Sequence, residues 1–129
     1  MMGVQYEGAI SNNAYRAYRV TTAGLADPWL AGTGFTAGAT VPQIVGYEWD
    51  AIKPGCAVPG TPKALLHYDG GTAEPSADAV RYTAPSGARV FAAGTLNWSW
   101  KLDSYVQNGA DAVGHAVDAR IQALTRNVL

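Results

Sequence analysis

The chain has 129 residues, 48% hydrophobic and 15% charged, with a formal net charge of −1. A domain of this length buries roughly two-thirds of its unfolded surface, and the apolar share excludes a disordered chain. Lys and Arg are scattered, leaving no basic footprint for nucleic acid or an anionic membrane, and no apolar run approaches the roughly 20 residues that span a bilayer.

Cys56 is the single cysteine and no signal-peptide pattern opens the chain, which together fit a reducing, cytoplasmic setting. In that setting the Asn97-Trp98-Ser99 sequon reads as a chance match. A thinly charged exterior over so much apolar material implies that a partner, or chain beyond this sequence, covers part of the surface. Met1-Met2-Gly3 reads as a start placed before a domain interior.

In chain order, Val4 to Ala9 is too short to type. Ala14 to Thr21 has the β-branched and aromatic composition of a strand. Asp27-Pro28-Trp29-Leu30 reads as a turn followed by an aromatic anchor. Gly32 to Gly38 is a loop, and it lacks the lysine followed by Ser or Thr that a phosphate cradle requires. Val41-Pro42 opens a central strand that runs through Gln43-Ile44-Val45. At its exit stand Gly46-Tyr47-Glu48-Trp49-Asp50.

Three prolines and two glycines between Lys53 and Pro62 make that stretch a loop. Lys63 to Tyr68 reads as a strand ended by Asp69-Gly70-Gly71, and Thr72 to Asp78 as a polar turn. Ala79 to Ala84 and Ala88 to Ala93 flank Pro85-Ser86-Gly87; proline second and glycine fourth suit a type I turn, so the segment is a β-hairpin. Gly94 to Trp100 follows with two exposed-looking indoles. From Asp111 the period changes: Val113, Val117, Ile121, Leu124 and Val128 recur at spacings of four and three, the apolar face of a terminal helix. Asp111 is its expected N-cap, and Asp118 and Arg120 lie off that face.

Glu48 leads the candidates for chemistry. Beside Tyr47 and Trp49, desolvation would disfavour its ionised form and suit it to acid/base work; the alternative is a carboxylate that bonds an amide or an arginine and only fixes a loop. Asp50 reads as a cap or turn residue. His67 and Asp69, two apart on a strand, would share a face and offer two metal ligands, with His115 far along the chain. Cys56 with either histidine is a second, weaker nucleophile pattern. On an extended segment Trp98 and Trp100 would share a face, to stack on a sugar or pack on a partner, unless one of them belongs to the core.

Taken together, Val45-Gly46-Tyr47-Glu48-Trp49-Asp50, the Ala84-Pro85-Ser86-Gly87-Ala88 hairpin, Val90 to Trp100 and Leu102-Asp103 resemble the C-terminal region of the N,N-dimethylformamidase large-subunit family. The resemblance runs from about Tyr15 to the end, with Ala123 to Leu129 similar to that family's closing helix. It implies one domain or domain fragment over residues 1–129, of α/β class: the β-rich part of a glutamine-amidotransferase-like three-layer domain, in which helices flank a mostly parallel sheet, with a C-terminal amphipathic helix.

The resemblance also implies an amidase acting on small formamide-type substrates. In that family, iron held by two tyrosines and a glutamate activates water, and those ligands lie upstream of the matching region. No cofactor is therefore expected in this chain, with iron expected in the full assembly. By its place in the motif, Glu48 becomes the acid/base or positioning group, with Tyr47, Trp49, Asn97 and Trp98 lining the pocket. A homo- or hetero-oligomer is expected, because the missing strands would leave a sheet edge or face uncovered. The rival reading is a non-catalytic structural, oligomerisation or ligand-binding module of the same fold.

Overall fold

The computed structural model describes residues 2–9, 14–105 and 116–129. Among the described residues there are seven strands: β1 (Gln5–Ala9), β2 (Arg16–Val20), β3 (Thr40–Val45), β4 (Glu48–Ala51), β5 (Lys63–Tyr68), β6 (Ala77–Thr83) and β7 (Arg89–Ala92). Helix α1 (Thr22–Leu25) is one turn, α2 (Ala119–Val128) closes the chain, and 3₁₀ helices span Pro28–Leu30 and Leu96–Lys101. Five strands form one sheet in the order β3-β2-β5-β6-β7, and β1 pairs with β4 in a second. The result is mostly β-sheet with a few helices, an α/β class fold.

Every pairing of named strands is antiparallel, where the family resemblance implied a mostly parallel sheet. The connections explain this. Parallel neighbours need crossovers of a dozen or more residues, whereas β6 and β7 are joined by a tight turn. There the Gly87 amide donates to the Ala84 carbonyl at 2.8 Å, with Gly87 at φ +85°, as proline second and glycine fourth predict.

Strand β2 alternates, with Tyr18 and Val20 buried and Arg19 exposed. On β5 the consecutive Leu65 and Leu66 are both fully buried, which strict alternation forbids. The register against β6 shifts between Ala64 and Leu66, so Leu65 is the extra residue of a bulge. Strand β6 begins at Ala77, inside the stretch read as a polar turn; Asp78 is buried there because its carboxylate accepts from the Ile52 amide at 2.9 Å.

The terminal helix begins later than the periodicity predicts. Its N-cap is Asp118, whose side chain accepts from the Arg120 amide; Asp111 and Val113 lie outside the described residues, and Val117 precedes the helix and is exposed. Ile121 and Leu124 enter the core as expected. Polar side chains fasten α2 in place: Thr125 accepts from the Trp98 indole at 3.1 Å, Gln122 donates to the Leu102 carbonyl, and Asn127 donates to the carbonyls of Trp29 and Ala31. No helix among the described residues is long and apolar enough to cross a membrane.

Candidate functional site

Strand β3 does not run on to Asp50. It stops at Val45, and the chain kinks through Gly46 and Tyr47, the latter at φ +54°. Only hydrogen fits at Gly46: a Cβ there would lie 2.1 Å from the Tyr15 ring and 2.7 Å from Asn97 Nδ2. Thr95 holds the kink shut. Its Oγ1 accepts from the Gly46 amide at 3.2 Å and from the Asn97 amide at 3.3 Å, and donates to the Ile44 carbonyl at 2.8 Å.

Because the kink starts a new strand, alternation on β4 sorts the motif onto two faces. Trp49 and Ala51 turn into the core, while Glu48 is exposed and Asp50 half-buried on the other face. The Trp49 indole therefore packs under Gly8, where a Cβ would lie 2.9 Å from the ring, and it does not enclose Glu48. The expected desolvation falls on Asp50 instead. Burial first, then the charges of Glu48 and Glu7, hold the Asp50 carboxyl above its usual value.

Glu48 and Asp50 face an open hollow of ≈ 370 Å³ whose other lining includes Phe91, Gly94, Thr95 and Leu96. Its floor is a rigid corner after β7. The Gly94 carbonyl accepts from the Asp50 amide at 3.0 Å, and the buried Tyr18 hydroxyl donates to the Ala93 carbonyl at 3.1 Å. Burial, then the charges of Asp78 and Asp50, hold that phenol well above its usual value, so it stays a donor.

The remaining expected pocket residues lie elsewhere. Tyr47 packs with Tyr15 and Trp100 in a half-buried aromatic trio, ring centroids 5.2 to 5.6 Å apart. Asn97 is fully buried beneath Gly46, and neither polar atom of its amide has a hydrogen-bond partner among the described residues. Trp98 is in the core, against Phe91 and α2. The shared face expected of Trp98 and Trp100 is lost because the segment is a 3₁₀ helix capped by Thr95, not an extended run. Of Glu48, Tyr47, Trp49, Asn97 and Trp98, only Glu48 lines the hollow.

The His67-Asp69 pair does not form either. His67 Nδ1 sits 2.8 Å from Asp78 Oδ1, while Asp69 caps the Gly71 amide. His115 lies outside the described residues, and Cys56 is exposed in its loop. Among the described residues no three His, Cys, Asp or Glu side chains converge as a metal set. What the sequence reading missed is Asp50 as the shielded carboxyl and Thr95 as the clamp. The E-W-D-A alternation signals Asp50 once β4 is seen to be its own strand.

Removing the Asp50 charge has a testable consequence. A carboxyl held above its usual value is penalised in the folded state only when ionised. Asp50→Asn is therefore expected to melt higher than the parent at neutral pH, with the difference shrinking as pH falls through the raised value and vanishing below the unfolded one. Thermal unfolding between pH 3 and 8 measures it; a variant less stable at neutral pH would contradict the assignment.

No curated protein and no solved structure matches the chain. A family model described as "N,N-dimethylformamidase beta subunit-like, C-terminal" matches residues 1–112, which takes in all seven strands and the Thr95 corner and stops short of α2. With that match over most of its length, the chain belongs to the N,N-dimethylformamidase beta subunit-like C-terminal family.

Proposed function

We propose that this domain serves a hydrolase that cleaves small formamide-type C–N bonds, and that the hollow between β4 and the Thr95 corner is where its carboxyl groups act. The observation that carries this is Asp50, a partly shielded carboxyl with Glu48 beside it on one face of β4. Amide hydrolysis needs a proton delivered to the departing nitrogen and one taken from the attacking water. A carboxyl that keeps its proton to higher pH suits delivery, and Glu48, on the solvent side, is placed to serve the water.

The chain is further proposed to act with a partner chain or an upstream segment, as the "beta subunit-like, C-terminal" description of its family suggests. Iron, implied by the resemblance, does not find its ligands in this hollow: the two carboxylates there are joined only by apolar side chains, a threonine and backbone. No step here passes through a metal. On this reading the antiparallel sheet is the β-rich part of a glutamine-amidotransferase-like domain. A non-catalytic binding module is the second reading, favoured by the half-buried Tyr15–Tyr47–Trp100 cluster.

The test is release of dimethylamine from N,N-dimethylformamide by the native assembly. Loss of an acid/base group is expected to lower the rate by about a hundredfold or more in Asp50→Asn and in Glu48→Gln. Turnover unchanged in both variants, or absent from the intact assembly, would reject the hydrolase reading in favour of the module.

A further inference from the structure

Among the described residues two non-glycine positions hold a positive φ, Gln43 and Tyr47, each at +54°. That geometry crowds the Cβ of an L-residue, and for a bulky side chain it is an outlier. Gln43 has a visible cause: opposite it the pairing of β2 with β3 shifts register between Arg16 and Tyr18, and the bulge bends the chain. Tyr47 has none, since it stands between β3 and β4, in neither strand. A positive φ at the second of two turn residues is the type II arrangement, which asks for glycine there. Here the glycine comes first, as Gly46, and the tyrosine takes the strained place.

A second group at the same spot is also left wanting. Asn97 is fully buried, and neither polar atom of its side-chain amide has a hydrogen-bond partner among the described residues. A buried amide in that state is costly and calls for an explanation. Its Nδ2 is 2.7 Å from the point where a Cβ on Gly46 would lie, so the amide abuts the strained peptide. What holds that peptide is slight. The Thr95 hydroxyl donates to the Ile44 carbonyl at 2.8 Å and reaches the Gly46 carbonyl only at 3.3 Å. The bond from the Gly46 amide to Thr95 belongs to the preceding peptide and survives a turn of this one.

We propose that the peptide between Gly46 and Tyr47 is a two-state switch. In the second state its plane turns over, as between type II and type I turns. The Gly46 carbonyl leaves Thr95 and accepts from Asn97 Nδ2, and Tyr47 relaxes to negative φ. The motion is a crankshaft: ψ of Gly46 and φ of Tyr47 counter-rotate, so the Tyr47 ring keeps its place against Tyr15 and Trp100. Glycine leaves that ψ free to turn. The second state has its own cost. The turned Tyr47 amide faces a Thr95 oxygen that already accepts from the amides of Gly46 and Asn97. Each state thus leaves one group unmet, and both are populated. Thr95 also lines the hollow beside Glu48, the residue after the switch, so an occupant that draws on the Thr95 hydroxyl tilts the balance. The switch does not rest on the hydrolase reading, because it operates in the free chain without turnover.

Relaxation-dispersion and saturation-transfer ¹⁵N NMR of the full chain test this, since they detect minor states exchanging in microseconds to milliseconds or more slowly. One exchange process is expected at the Tyr47 and Glu48 amides and the Asn97 side-chain amide, with a common rate. Tyr47→Gly and Tyr47→Ala both remove the ring, and only alanine keeps the Cβ penalty of the resting state. That penalty is about tenfold in population, so the minor state should be about tenfold rarer in Tyr47→Gly than in Tyr47→Ala. Asn97→Leu, which fills the same space without the amide, should lose the exchange while its other resonances stay dispersed. No exchange in the parent by either method, equal minor populations in the glycine and alanine variants, or exchange unchanged in a folded Asn97→Leu would each overturn the proposal. Should Asn97→Leu unfold, the glycine–alanine comparison decides alone.

Discussion

Gly94→Ala is expected to lose about 4 kcal/mol of stability, at the severe end for a single change, because two penalties coincide. Gly94 has φ +64°, which disfavours any residue with a Cβ. The Cβ would also sit 2.0 Å from the Asp78 carbonyl oxygen and 2.9 Å from the Tyr18 hydroxyl. A main-chain oxygen within β6 has no rotamer to escape into, so the corner after β7 would have to lift off the sheet. That movement would break the bond from the Asp50 amide to the Gly94 carbonyl and open the floor of the hollow. Gly87→Ala is the control: its φ is +85°, yet nothing lies within 4 Å of the added carbon, so it should lose only the conformational penalty of about 1 kcal/mol. Urea unfolding of the two variants measures the difference. Equal losses would show that the Asp78 contact does not restrain this corner.

The elements that could be read from sequence are those whose signal is local. The β-branched and aromatic composition around Arg16–Val20, the run Lys63–Tyr68 and the Pro85-Ser86-Gly87 turn each specify their structure within a few residues. What escaped reading depends on distant partners. Gly46 signals a break, but the reason it must be glycine comes from Tyr15 and Asn97, which fold in from either side along the chain. Without that kink, Glu48 reads as the end of β3. With it, β4 has its own alternation, and the shielded carboxyl becomes Asp50.

The two indoles were misplaced for a related reason. Trp98 and Trp100 share a face only on an extended segment, and the turn at Thr95, whose hydroxyl also fastens Gly46, makes the segment 3₁₀. For the terminal helix, Asp111 and Asp118 offer the same capping chemistry seven residues apart, and the valine spacing did not choose between them. The family resemblance identified the motif and the hairpin, but it could not say which motif residues face the hollow, because strand register decides that.

Asp27→Asn is expected to destabilise the fold by about 3 kcal/mol or more, the loss that follows when one partner of a buried ion pair is removed. The Asp27 side chain is fully buried. Its Oδ2 lies 2.6 Å from Arg81 Nη2 and 3.1 Å from Lys63 Nζ, and its Oδ1 accepts from the Trp29 amide at the start of the 3₁₀ helix. An asparagine can keep the cap but not the charge, leaving the Arg81 guanidinium beside the Trp29 ring without its counter-ion. Lys63 is 43% exposed, so Lys63→Ala should lose no more than about 1 kcal/mol. Burial alone would raise the Asp27 carboxyl; the Arg81 guanidinium, the Trp29 amide and the Lys63 ammonium outweigh it and hold the group below its usual value. Its contribution is therefore fully present above the ordinary carboxylate range and is lost as pH falls through the lowered folded value. In urea titrations from pH 7 to 2, the parent should lose more stability toward acid than Asp27→Asn, and the two curves should converge at the acid end. Parallel curves would mean that Asp27 is as easily protonated in the folded chain as in the unfolded one, and the buried pair with Arg81 would then not be what anchors Trp29 beneath the sheet.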